Sequence, residues 1–201
     1  MNKSFNFFHE ELLKKSSNLK NLNEQIKKNG VIKIERTKLD LFTFITKTII
    51  AQQISNNVAD SLWNKFCSLL KKNTPKIDDF TTKKNLTLVL EKVGLSQRKK
   101  SYIESFYTQI KKKKIFLDKL QESEIRDELL MFRGIGNWTC DMVLIFFLQK
   151  MNVYPKTDLV IKKTCIKLCE IEKRQINFEQ KFSPYLTIFS LHLWKMSKRI
   201  L

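Results

Sequence analysis

Acidic residues are in short supply in this chain of 201: twenty Asp and Glu face thirty-eight Lys and Arg, a formal net charge of +18. So lopsided a balance sets up a strong positive field and points to polyanionic partners. Part of the lysine excess also fits AT-rich codons, which enrich Lys, Asn, Ile and Phe together. Long apolar runs are missing too. The longest, Met142 to Leu148, is preceded by Asp141 and is too short to span a bilayer. No secretory leader is recognisable, because Phe5, Phe7 and Phe8 run straight into Glu10, Glu11 and lysines. The four cysteines, Cys67, Cys140, Cys165 and Cys169, then read as reduced, buried thiols of a cytosolic protein. Cys165 and Cys169 form a metal half-site at most, since no second pair accompanies them. No repeat or low-complexity tract occurs, and 42% hydrophobic residues exclude wholesale disorder.

What is present is helical periodicity almost throughout. Phe5, Phe8, Leu12 and Leu13 share one face of a helix starting at Ser4, and a second runs from Asn18 to Lys28, closed by Asn29-Gly30. Val31 to Glu35 alternates and is briefly extended, with no strand partners in prospect. Asp40 and Ser55 are caps for two further helices, and Thr74-Pro75 is a loop. Asp78 to Val93 gives one or two short helices ending at Gly94. Ser96 caps a helix carrying Tyr102, Ile103, Phe106 and Ile110, with the Lys111–Lys114 run at its end. Later helices are expected over Glu122 to Met131, over Asn137 to Gln149, and from Thr157 or Asp158. Ser183-Pro184 reads as the start of the last one. The fold class is all-α.

Two of the scarce glycines stand one residue apart, in Phe132-Arg133-Gly134-Ile135-Gly136-Asn137-Trp138-Thr139, between two apolar periodic segments. This is a tight turn between helices, with both glycines suited to positive φ or to a close-lying backbone. The N–H groups at the start of the second helix suit a phosphate. Such a turn also serves merely to pack two helices. Asp158, after Tyr154-Pro155-Lys156-Thr157, is on generic grounds a helix N-cap. Gln52 and Gln53 read as amides capping an inter-helix turn. Arg98, Lys99 and Lys100 sit in a helix's first turn, where dipole theory prefers acids, so an anion meeting them would relieve the mismatch.

Taken together and in this order, these parts resemble the helix-hairpin-helix DNA glycosylase superfamily, and within it the alkylpurine branch, the 3-methyladenine DNA glycosylase II family. Four segments carry the resemblance, from Asp40 to Trp194. They are Ile49-Ile50-Ala51-Gln52-Gln53-Ile54-Ser55, Gly94-Leu95-Ser96 with the basic residues after it, the hairpin with Asp158, and the Tyr185-to-Trp194 helix.

The resemblance implies a two-lobed helical bundle with the active-site cleft between lobes, lobe A at roughly residues 38–112 and lobe B at roughly 1–37 plus 113–201. It implies a monofunctional enzyme that flips alkylated purines such as 3-methyladenine out of double-stranded DNA and hydrolyses the N-glycosidic bond, leaving an abasic site for base excision repair. Asp158 would be the catalytic carboxylate, beside a sugar acquiring oxocarbenium character. Trp138, Trp194, Met142 and Leu159 would line the base pocket, where aromatic faces attract a cationic purine by about 0.5–2 kcal/mol per contact. Met142 and Leu159 stand where some relatives have tyrosine, which bears on substrate breadth. Gln52 and Gln53 form the wedge loop, with Gln53 as the wedge. Gly134, Gly136, Thr139, Arg98 and Lys99 would bind DNA phosphates. Trp138 occupies the place of the lysine nucleophile of strand-cutting members, so no lyase activity is expected. No cofactor is expected: nothing after Cys169 can hold an iron–sulfur cluster, though carbonyls near Phe132 and Ile135 can seat Na+ or K+ at the hairpin. His192 reads as a core histidine. The implied protein is a monomer without membrane association, nucleoid-associated in the cytoplasm of a prokaryote or nuclear in a eukaryote. Two other functions share these features: a non-catalytic module gripping DNA backbone, and a glycosylase for oxidised or mismatched bases.

Overall fold

The structure is a computed structural model describing residues 4–113 and 115–201, so Lys114 of the basic run lies outside the described residues. The described residues form helices joined by turns, with no strand among them, and the alternating segment Val31 to Glu35 stays irregular. The helices are α1 (Phe5–Lys15), α2 (Lys20–Asn29), α3 (Leu41–Ala51), α4 (Asn56–Leu70), α5 (Lys83–Val93), α6 (Gln97–Lys112), α7 (Glu122–Leu130), α8 (Asn137–Met142), α9 (Leu159–Ile171), α10 (Phe178–Phe182) and α11 (Leu186–Ile200). Hydroxyl and carboxylate caps open many of them. Ser4, Asp40, Ser55, Thr82, Ser96 and Asp158 each accept a bond from an N–H of the first turn.

Contacts gather the chain into two compact units, one from the residues up to Glu35 together with Leu144–Leu201, the other Arg36–Val143. In the Arg36–Val143 unit, the core centres on aromatic rings. Phe42 stacks on Phe106 at 6.1 Å and meets Phe80 edge-on, while the Tyr107 hydroxyl donates to the Phe80 carbonyl at 2.8 Å. Phe132, just before the hairpin, sits edge-on to Phe106 at 4.9 Å. These rings are nine-tenths or more buried, so cutting one to alanine costs about 3–5 kcal/mol. The α7–α8 pair is tied by Arg126, which donates to Asp141 at 2.8 Å and to Glu122 at 2.9 Å.

This division differs from the expected one. Residues 115–143, hairpin included, group with 36–112 rather than with 144–201, because α8 lies on α3 and Phe132 joins the Phe106 cluster.

The other unit is built on α9 against α11, with α1, α2 and α10 around them. Phe182 and Phe189 stack at 3.9 Å, and Leu12, Leu22, Ile26, Leu168 and Leu193 close the core. His192 is fully buried here, as a core histidine should be. Its Nδ1 lies 3.0 Å from Asn29 Nδ2, and burial pushes the imidazole down to about 3, with His9, Lys195 and Arg199 adding to the effect.

Two expected boundaries moved. The helix expected from Asn137 to Gln149 is α-helical only to Met142. It then widens into a π-helical turn over Val143–Phe147, and the Lys150 N–H closes on the Leu144 carbonyl at 2.8 Å. Ser183 does not start the last helix. It ends α10, a short helix capped by Asn177 that periodicity is too brief to reveal, and donates its N–H to the Glu179 carbonyl. The Ser183–Pro184 peptide is cis, and α11 begins at Leu186.

Candidate functional site

Residues 132–139 fold as the expected hairpin, but its two glycines do different work. Gly134 has φ 89°, in the left-handed region, and a Cβ there would run into the Tyr102 side chain. Gly136 has φ −114° and ψ −178°, extended backbone open to any residue, and a Cβ there would meet no atom within 4 Å. The expectation of positive φ at both is thus corrected at Gly136. That glycine leaves an exposed approach to the first turn of α8. Gly136 also starts the ladder, its carbonyl accepting from the Cys140 N–H at 3.0 Å.

The α3–α4 loop is wired to this hairpin. Gln52, the C-cap of α3, donates its amide to the Gly134 carbonyl at 3.0 Å and to Thr139 Oγ1 at 3.2 Å. The Thr139 hydroxyl is buried and engaged by that amide. Gln53, the next residue, is exposed and sits at φ 57°, an uncommon backbone for a non-glycine, with its Oε1 3.3 Å from Arg98 Nη2. Lys99 Nζ donates to the Ile50 carbonyl at 2.7 Å, near the negative end of α3. Burial, then the neighbouring Arg98 charge, hold its ammonium below the usual lysine value. A cavity of about 590 Å³ lies behind the loop, lined by Gln52, Gln53, Leu62, Leu95, Arg98 and Lys99. Of the expected pocket residues in this unit, Trp138 is half-buried and Met142 is buried.

Asp158 is the N-cap of α9 and is buried. Its Oδ1 accepts from the Ile161 N–H at 2.9 Å and from the Trp194 indole Nε1–H at 3.1 Å. Trp194, half-buried on α11, stacks on Phe146 at 6.0 Å with the planes 27° apart. The carboxylate is therefore held by a helix N-terminus and by a ring expected only as pocket lining. Sequence carried no signal for that indole bond, because Trp194 is 36 residues away from Asp158 and the register of α11 on α9 is a tertiary fact. Leu159, in the first turn of α9, is 71% exposed.

Such a carboxylate, fixed through one oxygen by two N–H donors, can stabilise a positive charge developing beside it and can orient or deprotonate a water. The hairpin and loop offer backbone N–H groups and cations to a polyanion. Among the described residues no grouping of three His, Cys, Asp or Glu could hold a metal ion, and no helix is long and apolar enough to cross a membrane. All four cysteines are free thiols, and burial pushes Cys140 and Cys165 up to about 11.

No family model matches the sequence. The chain is similar to DNA-3-methyladenine glycosylase of Saccharomyces cerevisiae, with 27% identity over 205 residues covering 82% of this chain and 69% of that protein. It is also similar to DNA-3-methyladenine glycosylase 1 of Schizosaccharomyces pombe, with 26% identity over 174 residues covering 80% and 74%. Among solved structures, the Schizosaccharomyces pombe 3-methyladenine DNA glycosylase in complex with abasic DNA superposes with a TM-score of 0.76. That match covers 95% of this chain and 96% of the other, at 22% identity, and speaks to the fold.

Proposed function

We propose that this chain belongs to the helix-hairpin-helix DNA glycosylase superfamily, on its alkylpurine branch, and that it is a monofunctional DNA glycosylase. It releases alkylated purines such as 3-methyladenine by hydrolysing the N-glycosidic bond, and leaves an abasic site. The observation that carries this reading is the buried Asp158 carboxylate, gripped on Oδ1 by the Ile161 N–H and the Trp194 indole.

A purine alkylated at N3 or N7 is cationic and leaves readily, so the enzyme has little need of a strong general acid. As the bond to C1′ stretches, positive charge grows on the sugar. Asp158 faces that charge and directs water to C1′. Trp194, beside the carboxylate, offers an aromatic face to the cationic base. Gln53 fills the gap left by the extruded nucleotide; its exposure supports that role. Arg98 and the N–H groups following Gly136 take the phosphates, which fix register without reading sequence. Gln52, Thr139 and Lys99 act from behind, since their polar groups are engaged within the protein. Trp138 is no nucleophile, so water attacks and the strand stays uncut.

The test is release of free base from duplexes carrying 3-methyladenine, 7-methylguanine, 1,N6-ethenoadenine or 8-oxoguanine. Release of the methylated purines by the wild type, lost in Asp158→Asn with DNA binding kept, supports the reading. Binding without any release favours a module that only grips DNA. Release of 8-oxoguanine alone moves the activity to oxidised bases.

A further inference from the structure

One face of α9 carries chemistry that base release does not use. Cys165 and Cys169 are one turn apart, so their side chains share a side of the helix with Cβ atoms about 5–6 Å apart. Both are free, partly exposed thiols, and both line one cavity of about 680 Å³. Lys173, Arg174, Ile176 and Phe178 complete much of its wall. The Tyr154 hydroxyl lies 3.3 Å from Cys165 Sγ.

That spacing discriminates between the two things a thiol pair can do. A disulfide needs Cβ atoms about 3.5–4.5 Å apart, closer than one helical turn allows without unwinding it. A single metal ion between two sulfurs, each at roughly 2.3 Å, needs sulfurs about 4–5 Å apart, which one turn supplies. Two thiolates with no third ligand suit a soft ion that accepts two-coordination. Two thiolates around a monovalent ion leave one net negative charge. Lys173 and Arg174 in the same wall compensate it, the acid there, Glu170, being paired with Lys167 at 3.0 Å, and Ile176 and Phe178 supply apolar surface beside the sulfurs.

We propose that Cys165 and Cys169 form a two-coordinate site for a soft monovalent ion, Cu(I), on the flank of α9. On binding, each thiol gives up its proton to solvent, two sulfur–copper bonds form, and copper stays in the +1 state throughout. The Tyr154 hydroxyl donates to the Cys165 thiolate and acts as an outer-shell partner.

The test is competition for Cu(I) against a chromophoric Cu(I) chelator, anaerobically, with the full chain. The wild type should retain one equivalent, and so should Cys67→Ser/Cys140→Ser, which leaves the pair intact. Cys165→Ser and Cys169→Ser should each weaken retention by at least about 100-fold, beyond what loss of an outer-shell partner costs, and Tyr154→Phe by about 10-fold. Circular dichroism confirms that each variant is folded; should a serine variant unfold, Cys165→Ala or Cys169→Ala takes its place. A wild type that retains no copper, or a Cys165→Ser/Cys169→Ser protein that retains it as tightly as the wild type, overturns the assignment.

Discussion

Asp158→Asn separates the structural work of this side chain from its chemical work. The Ile161 N–H and the Trp194 indole both donate to the same oxygen, Oδ1. An asparagine can present its carbonyl oxygen to both and put its amide nitrogen where Oδ2 stood. Asparagine also ranks with aspartate as an N-cap. What those two contacts lose is the charge on their acceptor. Bonds to a charged acceptor contribute about 1.5–3 kcal/mol against about 0.5–1.5 for neutral ones, so two such exchanges cost about 1–2 kcal/mol of stability. The loss in rate should be larger. Removing one preorganised group that stabilises transition-state charge costs roughly 10²–10³ in kcat, about 2.7–4 kcal/mol, and a full carboxylate facing an oxocarbenium-like sugar belongs at the upper end of that range or above it. The assay is single-turnover release of 3-methyladenine from a duplex, with DNA affinity by fluorescence anisotropy and a urea unfolding curve on the same sample. The reasoning fails if the asparagine protein releases base within threefold of the wild type, or if it unfolds before the rate can be read. Asp158→Ala, by contrast, should lose the cap and strand the indole N–H, costing stability as well as rate.

Other consequences can be checked as directly. Trp194→Phe keeps a ring against Phe146 but removes the donor to Asp158; base release should fall about tenfold with DNA affinity unchanged, whereas equal kcat would make the indole N–H irrelevant. Gly134→Ala should destabilise by about 1–3 kcal/mol, through left-handed φ and collision with Tyr102, while Gly136→Ala should leave the unfolding midpoint within about 0.5 kcal/mol of wild type and weaken DNA binding instead. His192 is buried neutral, its pKa lowered from 6.5 to about 3 chiefly by burial, so the unfolded chain binds a proton that the folded one refuses. That contribution to stability is whole above pH 6.5 and is lost as pH falls from 6.5 toward 3, by about 1.4 kcal/mol per pH unit; urea midpoints across that window should be flatter in His192→Gln, and an identical slope would reject the assignment.

Helix starts were the most legible part of this chain. Asp40, Ser55, Ser96 and Asp158 are caps because short polar side chains followed by apolar periodicity leave few alternatives. Gly30 and Gly94 end helices with positive φ for the same local reason. The failures share a cause as well. Gly136 was expected in the left-handed region by analogy with Gly134, but φ at a turn depends on which neighbour presses on it, and only Gly134 has Tyr102 against it. The π-helical turn at Val143–Phe147 leaves the apolar pattern nearly unchanged and so hides within it. At the site, the resemblance rather than local pattern names Asp158, Trp138 and the two glutamines as candidates, and Asp158→Asn tests the first of them. Sequence was silent on the hairpin atoms that Gln52 would meet, and on the indole that grips the carboxylate, because both depend on packing between segments remote in sequence.

The two hydrogen bonds from Gln52 to Gly134 and Thr139 have a mechanical consequence. The turn that would clasp the sugar–phosphate chain and the finger beside it cannot shift independently, since one amide pins them together. They would meet a duplex as a single tool with a fixed span. How far that finger reached between base pairs would then be decided at the moment the clasp found its phosphate, before any damaged base was recognised.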